Sequence, residues 1–150
     1  MKMVMVLYPG NGHKAEFGEL EGQPVPGSAE GEIGLRRWLE DEGHELITTT
    51  DREGGELDQN LADAVVLITT PFWPVYVTRE MIESASSLKL ILTAGVGSDH
   101  IDLAAAAENN ITVAEQTNCN VVSVAEHAVM CVLNLVRNFG PQYKQVVYGE

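Results

Sequence analysis

The spacing of apolar and polar positions changes along this chain, and each change marks an element. Residues 2–8 form a short apolar run that predicts a buried strand, and the Gly- and Glu-rich stretch 9–30 reads as a long loop. Residues 32–42 carry Ile33, Leu35, Trp38 and Leu39 at loosely helical spacing, with Gly43 as a natural stop. Residues 44–50 alternate and end in β-branched threonines, a second strand. After a polar loop, 64–70 is continuous and apolar, as expected of a strand covered on both faces. Thr78 is placed to cap a helix running to about Ala85. Residues 88–93 form the fourth strand and 111–115 the fifth. Between them a short helix over 103–108 is entered through Asp102 and closed by Asn109 and Asn110. Strands alternating with helices imply an α/β fold: a five-stranded parallel sheet with helices on both faces and right-handed crossovers.

The last helix differs in kind. Ser123-Val124-Ala125-Glu126 fits a capping box, and from there to about Asn138 the helix is apolar over most of its circumference. Such a helix is expected to be buried between layers, with Cys131 in its core. Because the sequence stops soon afterwards, its packing partners are expected beyond residue 150 or in another chain.

Composition narrows the class. A chain of 150 residues with 45% hydrophobic content is sized for one soluble domain. No run of apolar residues is long enough to span a bilayer, and the N-terminus is too short and strand-like for a signal peptide. The cytoplasm is the expected location. A formal charge of −13 argues against nucleic acid and anionic membrane as partners, since both require clustered Lys and Arg. Cys119 and Cys131 form no CxxC and lack ligand-spaced partners, so neither a metal site nor a disulfide framework is expected.

Candidate chemistry concentrates between Pro71 and Asn138. Gly10-Asn11-Gly12-His13-Lys14-Ala15 fits GxGxxA after the first strand, but an acidic loop follows where a dinucleotide site needs a helix. Pro71-Phe72-Trp73-Pro74 is either a rigid turn that tucks aromatics inward or a stiff apolar wall of a small pocket. In Gly95-Val96-Gly97-Ser98 the glycines allow close approach to a ligand and the Val96 N–H is free to bind an anion; a plain strand-to-loop turn is the alternative. Asn120 precedes a helix and its amide either donates to a carboxylate or satisfies a local turn. His100 is expected to support the site by capping or bracing rather than by catalysis. No nucleophilic triad and no HExxH occur.

Taken together, Pro71–Tyr76, Thr93–Leu103 and Asn118–Met130, with Leu135-Val136-Arg137-Asn138, resemble NAD-dependent formate dehydrogenases of the D-2-hydroxyacid dehydrogenase superfamily. The Phe72-Trp73-Pro74 turn, Gly97-Ser98-Asp99-His100-Ile101-Asp102-Leu103 and Ser123-Val124-Ala125-Glu126-His127 are the most specific segments. The resemblance implies a flavodoxin-like substrate-binding domain over 1–120 and the start of a cofactor-binding domain over 121–150, its remainder absent. It implies that the Val96 N–H and the catalytic Asn120 amide hold the formate carboxylate, and that Pro71 and Phe72 form the hydrophobic wall. Val121 would touch the NAD cofactor through its backbone. The family's GxGxxG loop, its formate-pairing arginine and its His with a Gln partner belong to a segment after this helix, so the 150 residues alone are expected to be inactive. A homodimer is implied as well. Two other readings stand beside this one: a standalone small-anion binding or assembly module, and a sister dehydrogenase for a larger acid, against which Trp73 and Pro74 argue.

Overall fold

The computed structural model describes residues 1–6, 29, 34–49, 55–71 and 75–149. The elements run β1 (Lys2–Val6), α1 (Leu35–Asp41), β2 (Glu45–Thr49), α2 (Glu56–Leu61), β3 (Val66–Thr69), α3 (Arg79–Ser84), β4 (Leu90–Thr93), α4 (Leu103–Glu108), β5 (Thr112–Glu115), α5 (Val121–Val136) and α6 (Phe139–Tyr148). The strands form one sheet in the order β2-β1-β3-β4-β5, and every ladder is parallel. This is the flavodoxin-like order, as expected. The chain divides into two compact units, Met1–Thr117 and Asn118–Glu150.

Within the first unit, alternation along β1 sends Val4 and Val6 to one face of the sheet and Met3 and Met5 to the other. The first face packs with Leu67 and Ile91 against Leu57 and Leu61 of α2, Ile82 of α3, and Ala105 and Ala106 of α4. The second packs Leu46, Val66 and Ile68 against Leu39 of α1. Helices therefore cover both faces, and the side chains of β3 are buried throughout. Two expected caps are present: Met81 N donates to Thr78 Oγ1 at 3.4 Å and Ala105 N to Asp102 Oδ1 at 2.8 Å. Arg79 ties α3 to α4, with Nη1 2.6 Å from Glu108 Oε2, and this pairing holds the Glu108 carboxyl below its ordinary pKa.

Several elements differ from expectation. The polar loop between β2 and β3 holds α2, whose Leu57 and Leu61 are both buried. One apolar pair in a six-residue helix is too short a pattern for periodicity to reveal. In α1 only Leu39 is buried and Trp38 is 61% exposed; Ile33 lies outside the described residues, as does the 9–28 part of the loop. The Ser123 capping box does not form. Asn118 takes a positive φ of 65° and a turn follows, so α5 already starts at Val121, with Asn120 as N-cap and Ser123 inside the helix.

At its other end α5 stops at Val136, and Asn138, left-handed at φ 52°, redirects the chain into the unanticipated α6. Pro141 sits in the first turn of α6, where its missing N–H breaks no helical bond. The expected burial of α5 is not found: none of its residues is buried and Cys131 is exposed. A unit of two helices has too few apolar neighbours to enclose a stripe that runs nearly round one of them. Among the described residues no single helix is long and apolar enough to cross a membrane; α5 and α6 pass that test only together and are bent by 64°.

The helix that the pattern hides is a firm part of the core. Replacing fully buried Leu57 with Ala should cost about 2–5 kcal/mol in urea unfolding. A loss near zero would mean that α2 does not pack on the sheet.

Candidate functional site

The site is built where β3, β4 and β5 end. Thr69 and Thr93 are register partners in the β3–β4 ladder, so both strands leave the sheet at the same level. Ala94 N donates to Thr69 O at 2.7 Å, and Gln116 N donates to Gly95 O at 2.9 Å. These bonds gather three strand exits at the carboxyl edge, where ligands bind in open parallel sheets.

Pro71 is half-buried at the first exit. A Cβ placed on Gly95 would lie 2.6 Å from Pro71 Cγ and 2.9 Å from Cδ, closer than real side chains approach. The sequence allowed Gly95 to make room for a ligand; in the fold it makes room for the Pro71 ring. Gly97 has a φ of +99°, a conformation that side-chain-bearing residues rarely adopt. Between the two glycines, Val96 is 41% exposed, and among the described residues no hydrogen bond engages its N–H. Phe72, Trp73 and Pro74 lie outside the described residues, as does the Gly10–Ala15 motif.

The loop closes behind Val96. Ile101 N donates to Ser98 O at 2.9 Å, Val77 N to His100 O at 2.8 Å and Asp102 N to Val77 O at 3.0 Å. His100 is buried, with Nε2 2.8 Å from Thr69 Oγ1 at the end of β3. Burial pushes the imidazole pKa below its ordinary 6.5, and the nearby Asp99 carboxylate opposes this only in part. The His100 ring thus joins the loop to the end of β3. Its partner Thr69 escaped sequence reasoning, although a polar residue ending a fully apolar strand was a usable signal, because a buried hydroxyl needs a partner.

Asn120 and Val121 lie in the second unit. Asn120 is exposed and makes no side-chain capping bond to α5, which leaves its amide uncommitted at the helix N-terminus. Val121, the first helical residue, is 53% exposed. None of Pro71, Val96, Asn120 and Val121 carries a charge. Among the described residues no cluster of three or more His, Cys, Asp or Glu could hold a metal ion.

The described residues do not build a dinucleotide cradle. The Gly95-Val96-Gly97 turn leads into α4, a helix of six residues whose N-terminus is already taken by the Asp102 carboxylate. A pyrophosphate would meet that negative charge rather than free N–H groups.

The strand order defines a doubly wound α/β domain, with the candidate site at the sheet's carboxyl edge. The chain belongs to the D-isomer specific 2-hydroxyacid dehydrogenase family, whose catalytic-domain model matches residues 33–144. It is 52% identical over 154 residues to a formate dehydrogenase of Chaetomium thermophilum, covering 100% of this chain and 40% of that protein. A formate dehydrogenase of Neurospora crassa is 51% identical over the same shares. The crystal structure of NAD-dependent formate dehydrogenase from Staphylococcus aureus in complex with NAD superposes with a TM-score of 0.76 at 48% identity. That match covers 100% of this chain and 43% of the other. The chain therefore spans about two fifths of the length of the curated relatives it matches.

Two outcomes follow from the geometry. Gly95→Ala should cost about 1–3 kcal/mol through its collision with the Pro71 ring. Unchanged thermal unfolding would show that the ring can move aside at no cost. Because the folded pKa of His100 is lowered, the unfolded chain binds a proton that the folded chain refuses. Stability should therefore fall as pH drops below about 6.5 towards the folded pKa, with the loss complete below it. His100→Gln should flatten that part of a denaturation-versus-pH curve; an unaltered slope would refute the assignment.

Proposed function

We propose that this chain is the substrate-side part of an NAD-dependent formate dehydrogenase, which converts formate and NAD⁺ to CO₂ and NADH by direct hydride transfer. The reading is carried by the free Val96 N–H, presented between two glycines beside Pro71, in a chain about half identical to formate dehydrogenases over its whole length. The Val96 N–H and the Asn120 amide donate to the formate carboxylate, while Pro71 and Phe72 wall the pocket. Val121 meets the cofactor through its backbone.

Formate has no proton to surrender to a base when its hydride leaves. Rate enhancement then rests on orientation and on fixed dipoles rather than on general-base catalysis. Hydrogen-bond donors on a glycine-built loop and at a helix N-terminus suit that demand, and neither needs a titrating group. NAD, when bound, supplies the hydride acceptor. Residues 1–120 act as the substrate domain and 121–150 open the cofactor domain. The reading extends to a cytoplasmic homodimer.

The counter-charge for the carboxylate and the dinucleotide cradle are not furnished by the residues named, so the 150-residue chain alone should be inactive. A turnover assay with formate and NAD should give no NADH above background, and clear NADH production would contradict this. Calorimetric titration with formate should show no tight binding by the chain alone. Micromolar affinity would favour a standalone anion-binding module instead.

A further inference from the structure

We infer that the Thr69–His100 pair is a positioning latch that holds the Val96 loop in register with the Pro71 exit; its link to catalysis rests on the proposed role of Val96. The loop from Gly95 to Asp102 is tied at its front by Gly95 O, which accepts from Gln116 N, and at its back by the bonds joining Ile101, Asp102 and Val77. Between these ties, Val96 and Asp99 are exposed and Gly97 and Ser98 are only partly buried. Main-chain bonds at the two ends do not by themselves fix the height of the Val96 peptide above the sheet.

The His100 side chain supplies that reference. It is 2% exposed, runs back beneath the loop and meets Thr69, itself 0% exposed, across 31 positions of sequence. Thr69 is the last residue of β3 and is followed by Thr70 and Pro71, the start of the apolar wall. One buried hydrogen bond thus joins the segment carrying the wall to the segment carrying the anion donor. Orientation-based catalysis is sensitive to displacements of a fraction of an ångström to about 1 Å, so a brace at this point acts on the reaction without touching the substrate.

The test compares Thr69→Val, which keeps the shape and removes the hydroxyl, with Thr69→Ser, which keeps the hydroxyl. In Thr69→Val the amides of Val77, Ile101 and Asp102 should exchange about tenfold faster, with raised ¹⁵N-relaxation mobility at Gly95–Ser98. Amides of Val4 and Ile47 in the β1–β2 ladder should be unaffected, and Thr69→Ser should restore the original behaviour. Wild-type loop dynamics in Thr69→Val, a uniform acceleration that includes β1 and β2, or failure of Thr69→Ser to restore would each overturn the latch. Should Thr69→Val not fold, the ring ¹⁵N spectrum of the unaltered chain decides: a neutral, hydrogen-bonded Nε2 at pH 7 supports the latch, and a charged or unbonded ring overturns it. Titrating formate into the unaltered protein up to concentrations where weak binding is visible as a fast-exchange shift, while following the Val96 amide, tests the substrate role separately. Absence of any shift would defeat that role and leave the latch to be judged on exchange.

Discussion

The parallel register that sets Thr69 of β3 opposite Thr93 of β4 is the constraint on which the site depends. Parallel strands end in the same direction, so strands in register deliver their following loops side by side. Here the neighbours are Pro71 and Gly95, and they come so close that a side chain at 95 has no room. Two residues on, the backbone at Gly97 turns through a positive φ that again favours glycine. Val96 is therefore held between two positions that exclude ordinary side chains, one by packing and one by conformation. Among the described residues no hydrogen bond covers its N–H. On the proposed reading, a demand of the scaffold and a requirement of anion binding are met by the same two glycines.

What the sequence disclosed depended on how local the cause was. The strands were legible because burial on both faces leaves continuous apolar runs, as in 64–70. The caps Thr78 and Asp102 were legible because the hydroxyl or carboxylate and the N–H it serves are three residues apart. Helix α2 was hidden because its periodic signal is a single Leu57–Leu61 pair. The start of α5 was misread because two local signals competed. A Ser-x-x-Glu box pointed to Ser123, while the Asn118–Asn120 turn let the helix begin earlier. Thr69 went unnoticed for the opposite reason: its partner is brought to it only by the completed sheet. Pro71 and Val96 could be paired from their places after successive strands, but not the collision that explains Gly95.

Electrostatics gives the proposed reading its shape. The chain carries a formal charge of −13, and the residues assigned to the substrate are neutral. An anion drawn into such a surface gains from backbone and amide dipoles but meets a net repulsive field. Dipoles orient a carboxylate well and neutralise it poorly, so on this reading orientation and charge compensation are separate tasks carried by different groups. On that reading the residues named perform the first. A group that performs the second is then needed before formate resides at the site long enough to react.

The same division bears on α5. Its N-terminus carries Asn120 and Val121, and along its length Val132, Leu135 and Val136 are exposed, the last two by 82% and 76%. Covering apolar surface is worth about 25 cal/mol per Å², so a stripe of this extent strongly favours any arrangement that removes it from water. A helix of sixteen residues turns as one body. Whatever covers the stripe therefore also steadies the first turn, where Asn120 is the N-cap. On the proposed reading, burial of the stripe also orders the helix end that offers the Asn120 amide to formate.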